Sequence, residues 1–307
     1  MRHYFLYFLS FYLFGITSCI SYVSANLDLP ISNEELNRCQ PAGSLLELLS
    51  LLDVEHENTM PSIIQATQDK WLRKKGTERW EIASLYEDKR NEITPLLMRM
   101  NLVQEINPHD KHYAYAIILG ATLSSVRERI EFMLRQWEQG IRFEQIVFLG
   151  GARLLYEKTE PQNLIIYPSA TLPRLKKSWQ FQGELPKTET DMMKIIFSQV
   201  ELPVGMEKLK VIFVDASAKK AAAGKLVRPN TGDTVLAWLQ LKPISGSVLA
   251  ISSQPFVAYQ DAVLKALLPA TFSIDTVGKE APENLAVGVH LDNLSRLLYQ
   301  KCSRYHD

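Results

Sequence analysis

Five apolar runs dominate the second half of this chain, and each ends in small or polar residues before a helical pattern begins. They are Tyr113–Leu119, Gln145–Leu149, Lys210–Val214, Val248–Ile251 and Thr271–Thr276. Near-continuous apolar strands need cover on both faces, and parallel neighbours need a crossover between them, so the alternation predicts a mostly parallel five-stranded α/β sheet of Rossmann-like type with helices on both faces. In such sheets ligands bind outside the carboxyl ends of the strands. Those ends read Gly120-Ala121-Thr122, Gly150-Gly151-Ala152-Arg153, Asp215-Ala216-Ser217 and Ser252-Ser253-Gln254.

Residues 1–25 read as an export signal or membrane anchor. Arg2 precedes an uncharged, aromatic-rich stretch, and Val23-Ser24-Ala25 has the small-residue cleavage pattern, while Ile16-Thr17-Ser18-Cys19 is similar to a lipoprotein box. All three readings place the protein outside the cytoplasm: periplasmic, membrane-anchored or secreted. Membrane association through the N-terminus is then an expectation. Lys plus Arg and Asp plus Glu are both 34, and without Arg2 the balance is 33 to 34. That leaves no basic excess for nucleic acid, whose phosphates demand one. Cys39 and Cys302 are left once Cys19 is set aside. They read either as a disulfide joining the two ends of the mature chain or as two buried thiols. No Cys/His cluster has metal-ligand spacing, and the sequence names no cofactor.

Residues 26–110 read as a helical segment. Ser32-Asn33-Glu34-Glu35 has a capping-box pattern, Ser44–Leu52 is leucine-rich, and Pro61–Lys75 predicts a helix stopped by Gly76 with Arg73-Lys74-Lys75 in its last turn. Thr77-Glu78 predicts another start, with Trp80, Leu85 and Tyr86 turned inward, and Thr94-Pro95 a restart or kink. Residues 111–307 form the α/β domain. It carries a long insertion, 154–187, with four prolines and the basic residues Arg174, Lys176 and Lys177, in the place where lids and specificity loops occur.

Candidate site residues gather at strand ends and helix starts. Ser125 reads as a cap for a helix whose inward stripe is Val126, Ile130, Met133, Leu134 and Trp137. Arg127 and Arg129 in its first turns oppose the helix dipole, which an anionic ligand or a nearby carboxylate would offset. Gly120, Gly150 and Gly151 allow backbone amides to approach such a ligand, although neither a dinucleotide fingerprint nor a Walker loop is present. Thr188 caps the helix that contains Glu189 and Asp191. In Arg228-Pro229-Asn230-Thr231-Gly232-Asp233, Asn230 and Asp233 suit a capping box and Arg228 an anion clamp. The set is completed by Ser252 and Ser253, with Glu189, Asp215 and Asp233 as the carboxylates available for acid–base work.

These strings, in this order, resemble the YdcF/SanA/ElyC family of bacterial envelope-associated proteins, a family of unknown function with a Rossmann-like sheet. The likeness spans roughly Tyr113–Gly278. It rests on Gly120 with Arg127 or Arg129, the pair Gly150-Gly151, Glu189, and the string Asn230-Thr231-Gly232-Asp233. After the fourth strand the family carries His and, three residues later, Arg; this chain has Val257 and Gln260 there. The resemblance implies envelope work, and the departure implies lost or rebuilt chemistry. Three functions follow as expectations: binding of a phosphate-, nucleotide- or lipid-phosphate-like anion, hydrolase or transferase activity, or a protein-interaction role with a vestigial cleft.

Overall fold

A computed structural model describes residues 43–74, 81–82, 85–220 and 226–302, together with Cys39, Pro41 and Thr77. The leader, Cys19 and the Ser32–Glu35 pattern lie outside the described residues, as do Lys75, Gly76 and Glu78–Trp80. The fold is α/β. Five parallel strands, β1 (His112–Leu119), β2 (Arg142–Gly151), β3 (Lys210–Ala216), β6 (Ser247–Ser253) and β7 (Ser273–Lys279), form a sheet in the order β3-β2-β1-β6-β7. The two-residue strands β4 (Lys219–Lys220) and β5 (Leu226–Val227) make a separate antiparallel ribbon. The fifth apolar run starts two residues later than the sequence predicts, because Phe272 is used for packing against Tyr115 and Trp238 before the strand begins.

Strand alternation explains the two layers. Ala116 and Ile118 of β1, with Ile146 and Phe148 of β2, belong to a core that includes Val126, Ile130, Met133 and Leu134 of α4 (Leu123–Glu138) and Met192, Met193 and Ile196 of α6 (Glu189–Gln199). The intervening Tyr115, Ile117 and Leu119 face the other way. They pack with Val235 and Trp238 of α7 (Thr231–Gln240) and Leu264 of α8 (Val257–Leu267). Period-2 alternation thus fills both faces from one apolar run. The inward stripe predicted for α4 is buried throughout.

The N-terminal helices α1 (Gly43–Leu51), α2 (Met60–Trp71) and α3 (Arg90–Arg99) build a third core with α9 (Val287–Cys302). They belong to the same compact unit as the sheet. Residues 287–295 of α9 are all buried, so its polar groups find partners. Ser295 accepts from Gln68 Nε2 through its hydroxyl (2.8 Å), and Asp292 accepts from the Arg73 amide (3.0 Å). Several local expectations change here. Helix α2 ends at Trp71, so Arg73 and Lys74 lie beyond it rather than in its last turn. Tyr86 is half-buried in a left-handed turn and Leu85 lies beside it. Helix α3 runs through Pro95 without restarting, held by buried Ile93, Leu96 and Leu97, while the Thr94 hydroxyl bonds the Arg90 carbonyl (2.8 Å). No helix among the described residues is long and apolar enough to cross a membrane.

Cys39 and Cys302 form a disulfide, with Cα atoms 5.5 Å apart across 263 residues of sequence. Closing so long a loop restricts the unfolded chain, typically adding about 2–4 kcal/mol. Reduction under non-denaturing conditions is expected to lower the thermal midpoint, and Cys302→Ser should abolish that sensitivity. His290, 6 % exposed in α9, is pushed down to about 4 by burial and then by the charge of Arg90, against a smaller opposing effect of Glu87. Its folded-state pKa lies below its unfolded value, so its contribution is intact above about pH 6.5. Stability is lost as pH falls from 6.5 toward 4, by at most about 3 kcal/mol. Urea unfolding of wild type and His290→Gln at pH 7.5 and 5.0 measures this: the acid-induced loss should be smaller in the variant.

Candidate functional site

The first strand is central, the next two lie to one side, and β6 and β7 lie to the other, so the connections reverse direction between β1 and β6. That reversal defines the crevice where ligands bind in open α/β sheets. Arg129 occupies it. The side chain comes from α4, is 2 % exposed, and donates Nη1 to the carbonyls of Leu119 (2.7 Å) and Gly120 (3.0 Å) and Nη2 to the Ser253 hydroxyl (3.2 Å). One guanidinium therefore ties the ends of β1 and β6 together.

A carboxylate cluster lies next to it. Glu189 is the first residue of α6, and its carboxyl rests on Gly120, where a Cβ would stand 2.8 Å from Oε2. The glycine is there to admit this carboxyl. Arg153, just past β2, makes a fork on the fully buried Glu160, with Nη1 to Oε2 at 2.7 Å and Nη2 to Oε1 at 2.5 Å, and approaches Glu189 Oε1 only to 3.3 Å. Burial raises the Glu189 pKa. Arg153 opposes this, the Glu160 charge adds to it, and Arg129 opposes it less strongly, with a net shift upward. The geometry explains the sign, since Arg153 is already committed to a closer carboxylate. For Arg153 burial acts downward, but the bonds and charges of Glu160 and Glu189 outweigh it and hold the side chain protonated.

The glycine pair lies within β2 rather than after it, with Gly150 and Gly151 paired to Asp215 and Ala216 of β3. A Cβ on Gly150 would stand 2.6 Å from the Thr190 hydroxyl, and one on Gly151 would stand 2.4 Å from the Pro229 ring. These positions admit other parts of the chain instead of a ligand. The Thr190 hydroxyl donates to Asp215 Oδ1 (2.8 Å), so Asp215 serves as an anchor for α6. Contact between Pro229 and Gly151 puts the string from Arg228 to Asp233 beside the end of β2, with Arg228 and Asn230 exposed and Thr231 half-buried. Asn230 and Asp233 form a reciprocal capping box at the start of α7, and Asp233 also pairs with Lys219. Thr188 and Asp191 do the same for α6. The amides of these two helix starts are thus partly answered from within the chain.

Helices α4 and α8, which flank the crevice, differ. Their N-cap residues, Thr122 and Phe256, make no side-chain capping bond. Helix α4 has Thr122 at its N-cap position, three residues before the predicted cap, so Ser125 lies inside it; its hydroxyl meets that of Thr122 at 3.4 Å. Ser252 is fully buried and donates its hydroxyl to Gln260 Oε1, which diverts it from the crevice, while Val257 is buried as the first residue of α8. Arg127 does not join Arg129. Residues two apart on a helix point about 200° away from each other, and Arg127 Nη2 donates to the Leu164 carbonyl in α5 (Gln162–Ile166) of the insertion (2.7 Å).

The structure therefore brings together Gly120, Arg129, Glu189 and Ser253, with Gly150, Gly151, Asp215, Arg228, Asn230, Thr231 and Asp233 along the neighbouring strand ends. It separates Arg127 and turns Ser252 inward. Sequence reasoning passed over Arg153 and Glu160. Arg153 stands two residues after the glycine pair, which is a usable signal, whereas nothing in Thr159-Glu160-Pro161 announces a buried carboxylate. Comparison with family models, curated proteins and solved structures finds no match. Gly151→Ala should cost about 1–3 kcal/mol in urea unfolding, because neither Pro229 nor the Ala216 carbonyl, 3.2 Å from the added Cβ, lies on a flexible side chain.

Proposed function

We propose that the protein is an exported, envelope-associated Rossmann-like domain of YdcF/SanA/ElyC type that binds a small phosphate-like anion in the crevice between β1 and β6. The observation that carries this reading is the pair of helices α4 and α8, which start at the crevice without side-chain caps, beside the guanidinium of Arg129. Free first-turn amides and the positive end of the dipole favour an anion. The charge balance adds to it, because Arg129 and Arg153 lie beside Glu160 and Glu189 and burial pushes the Glu189 pKa upward. The disulfide suits an oxidising compartment.

Catalysis has less support. Val257 cannot transfer a proton, Gln260 is taken up by Ser252, and Asp215 and Asp233 hold helix starts. The raised pKa of Glu189 suits a general acid, which keeps a hydrolase or transferase as the second reading. Turnover of a phosphomonoester that is lost in Glu189→Gln would favour it.

Binding a negative charge beside Glu189 favours its protonated form, so affinity should rise as pH falls. Sulfate keeps the same charge at pH 5.5 and 7.5 and is a suitable probe at matched ionic strength. A tenfold excess over Kd is expected to raise the thermal midpoint by about 3 °C, with tighter binding at pH 5.5 in wild type and little pH dependence in Glu189→Gln. No saturable rise with sulfate, phosphate or a nucleoside monophosphate would discard the anion reading.

A further inference from the structure

Arg127 and the insertion border a second, partly open cavity. A cavity of about 50 Å³ lies between α4, α6 and the insertion, lined by Ile130 of α4, Ile196 of α6, Val200 just after α6, and Leu172 and Leu175 of the insertion. Arg127 forms part of its wall. Its Nη2 is bonded to the Leu164 carbonyl, but its buried Nε–H has no acceptor among the described residues. A buried N–H without a partner costs about 1–3 kcal/mol, more on a charged group. No described carboxylate pairs with this guanidinium, and burial lowers its pKa. Glu131 shares the cavity wall, yet both of its oxygens accept from Arg174 Nε at 3.1 Å. Arg174 also forks onto Glu138, with two bonds of 2.6 Å, and so fixes the insertion over the cavity.

The cation in the wall has no carboxylate partner among the described residues, and the remaining surface is mainly aliphatic. The narrow, mostly apolar lining suits a short chain with one anionic end. We propose that this cavity binds a short aliphatic carboxylate, its oxygens on Arg127 and its methylene groups among Ile130, Ile196 and Leu175. The occupant would bridge α4 to the insertion, a contact the strand-end site does not require.

Propionate and its neutral isostere propionamide, added to the full chain, test this directly. Propionate is expected to give a saturable rise of about 2 °C in the thermal midpoint. Propionamide should give none, Arg127→Met should remove the response, and Glu189→Gln should retain it. An equal response to propionamide, a response surviving Arg127→Met, or none from wild type overturns the proposal. Loss of the response in Glu189→Gln would assign the binding to the strand ends and also overturn it. Should Arg127→Met fail to fold, crystals of the wild-type chain soaked in 3-bromopropionate give an independent answer. A bromine anomalous peak between Ile130 and Leu175 supports the site; a peak only elsewhere, or none, overturns it.

Discussion

A parallel strand buried on both faces delivers its last carbonyls into the protein interior, where water cannot answer them and the next strand in sequence is a helix away. Arg129 meets that constraint at the end of β1. Its guanidinium takes the carbonyls of Leu119 and Gly120 and reaches across to Ser253 at the end of β6. Because β1 and β6 are the strands at which the topology reverses, the same side chain also sets the width of the crevice and puts a positive charge beneath it. Fold and candidate site share one interaction.

The surrounding charges show how the protein limits the cost of that arrangement. Arg153 is committed to the buried Glu160 by a bidentate fork, and breaking such a pair by removing one partner costs several kcal/mol. Glu189 stands farther from Arg153, at 3.3 Å, and Gly120 makes room for it. Burial raises its pKa and a counter-charge already committed to Glu160 only partly offsets this, which makes it the member of the cluster whose protonation responds to a ligand. Asp191 and Asp233, by contrast, each accept a backbone amide at a helix start.

The N-terminal helices are part of the structural frame. They cover α9, whose first turns hold His290, Asp292, Asn293 and Ser295 away from solvent, and Asn293 Nδ2 bonds the Pro255 carbonyl (2.5 Å) in the turn that leads into α8. Gln254 in the same turn donates to the carbonyls of Asn101 and Gln104, both at 3.0 Å. The segment before the sheet therefore buttresses one wall of the crevice, and the disulfide ties the two ends of this helical layer together.

The period-2 and helical periodicities of the sequence determined the α/β class, the five strands, the inward stripe of α4 and the capping residues Thr188 and Asn230, because each depends on neighbours within about four residues. The direction of Arg127, the role of Gly150 and Gly151, and the partners of Arg153 and Ser252 depended on which distant segment came to lie against them. Thr190, Pro229, Glu160 and Gln260 are from 7 to 78 positions away from the groups they meet. A glycine beside a strand end reads the same whether it admits a phosphate or a proline ring. Only the tertiary packing decided between them, since steric exclusion acts through space and leaves no local periodicity to read.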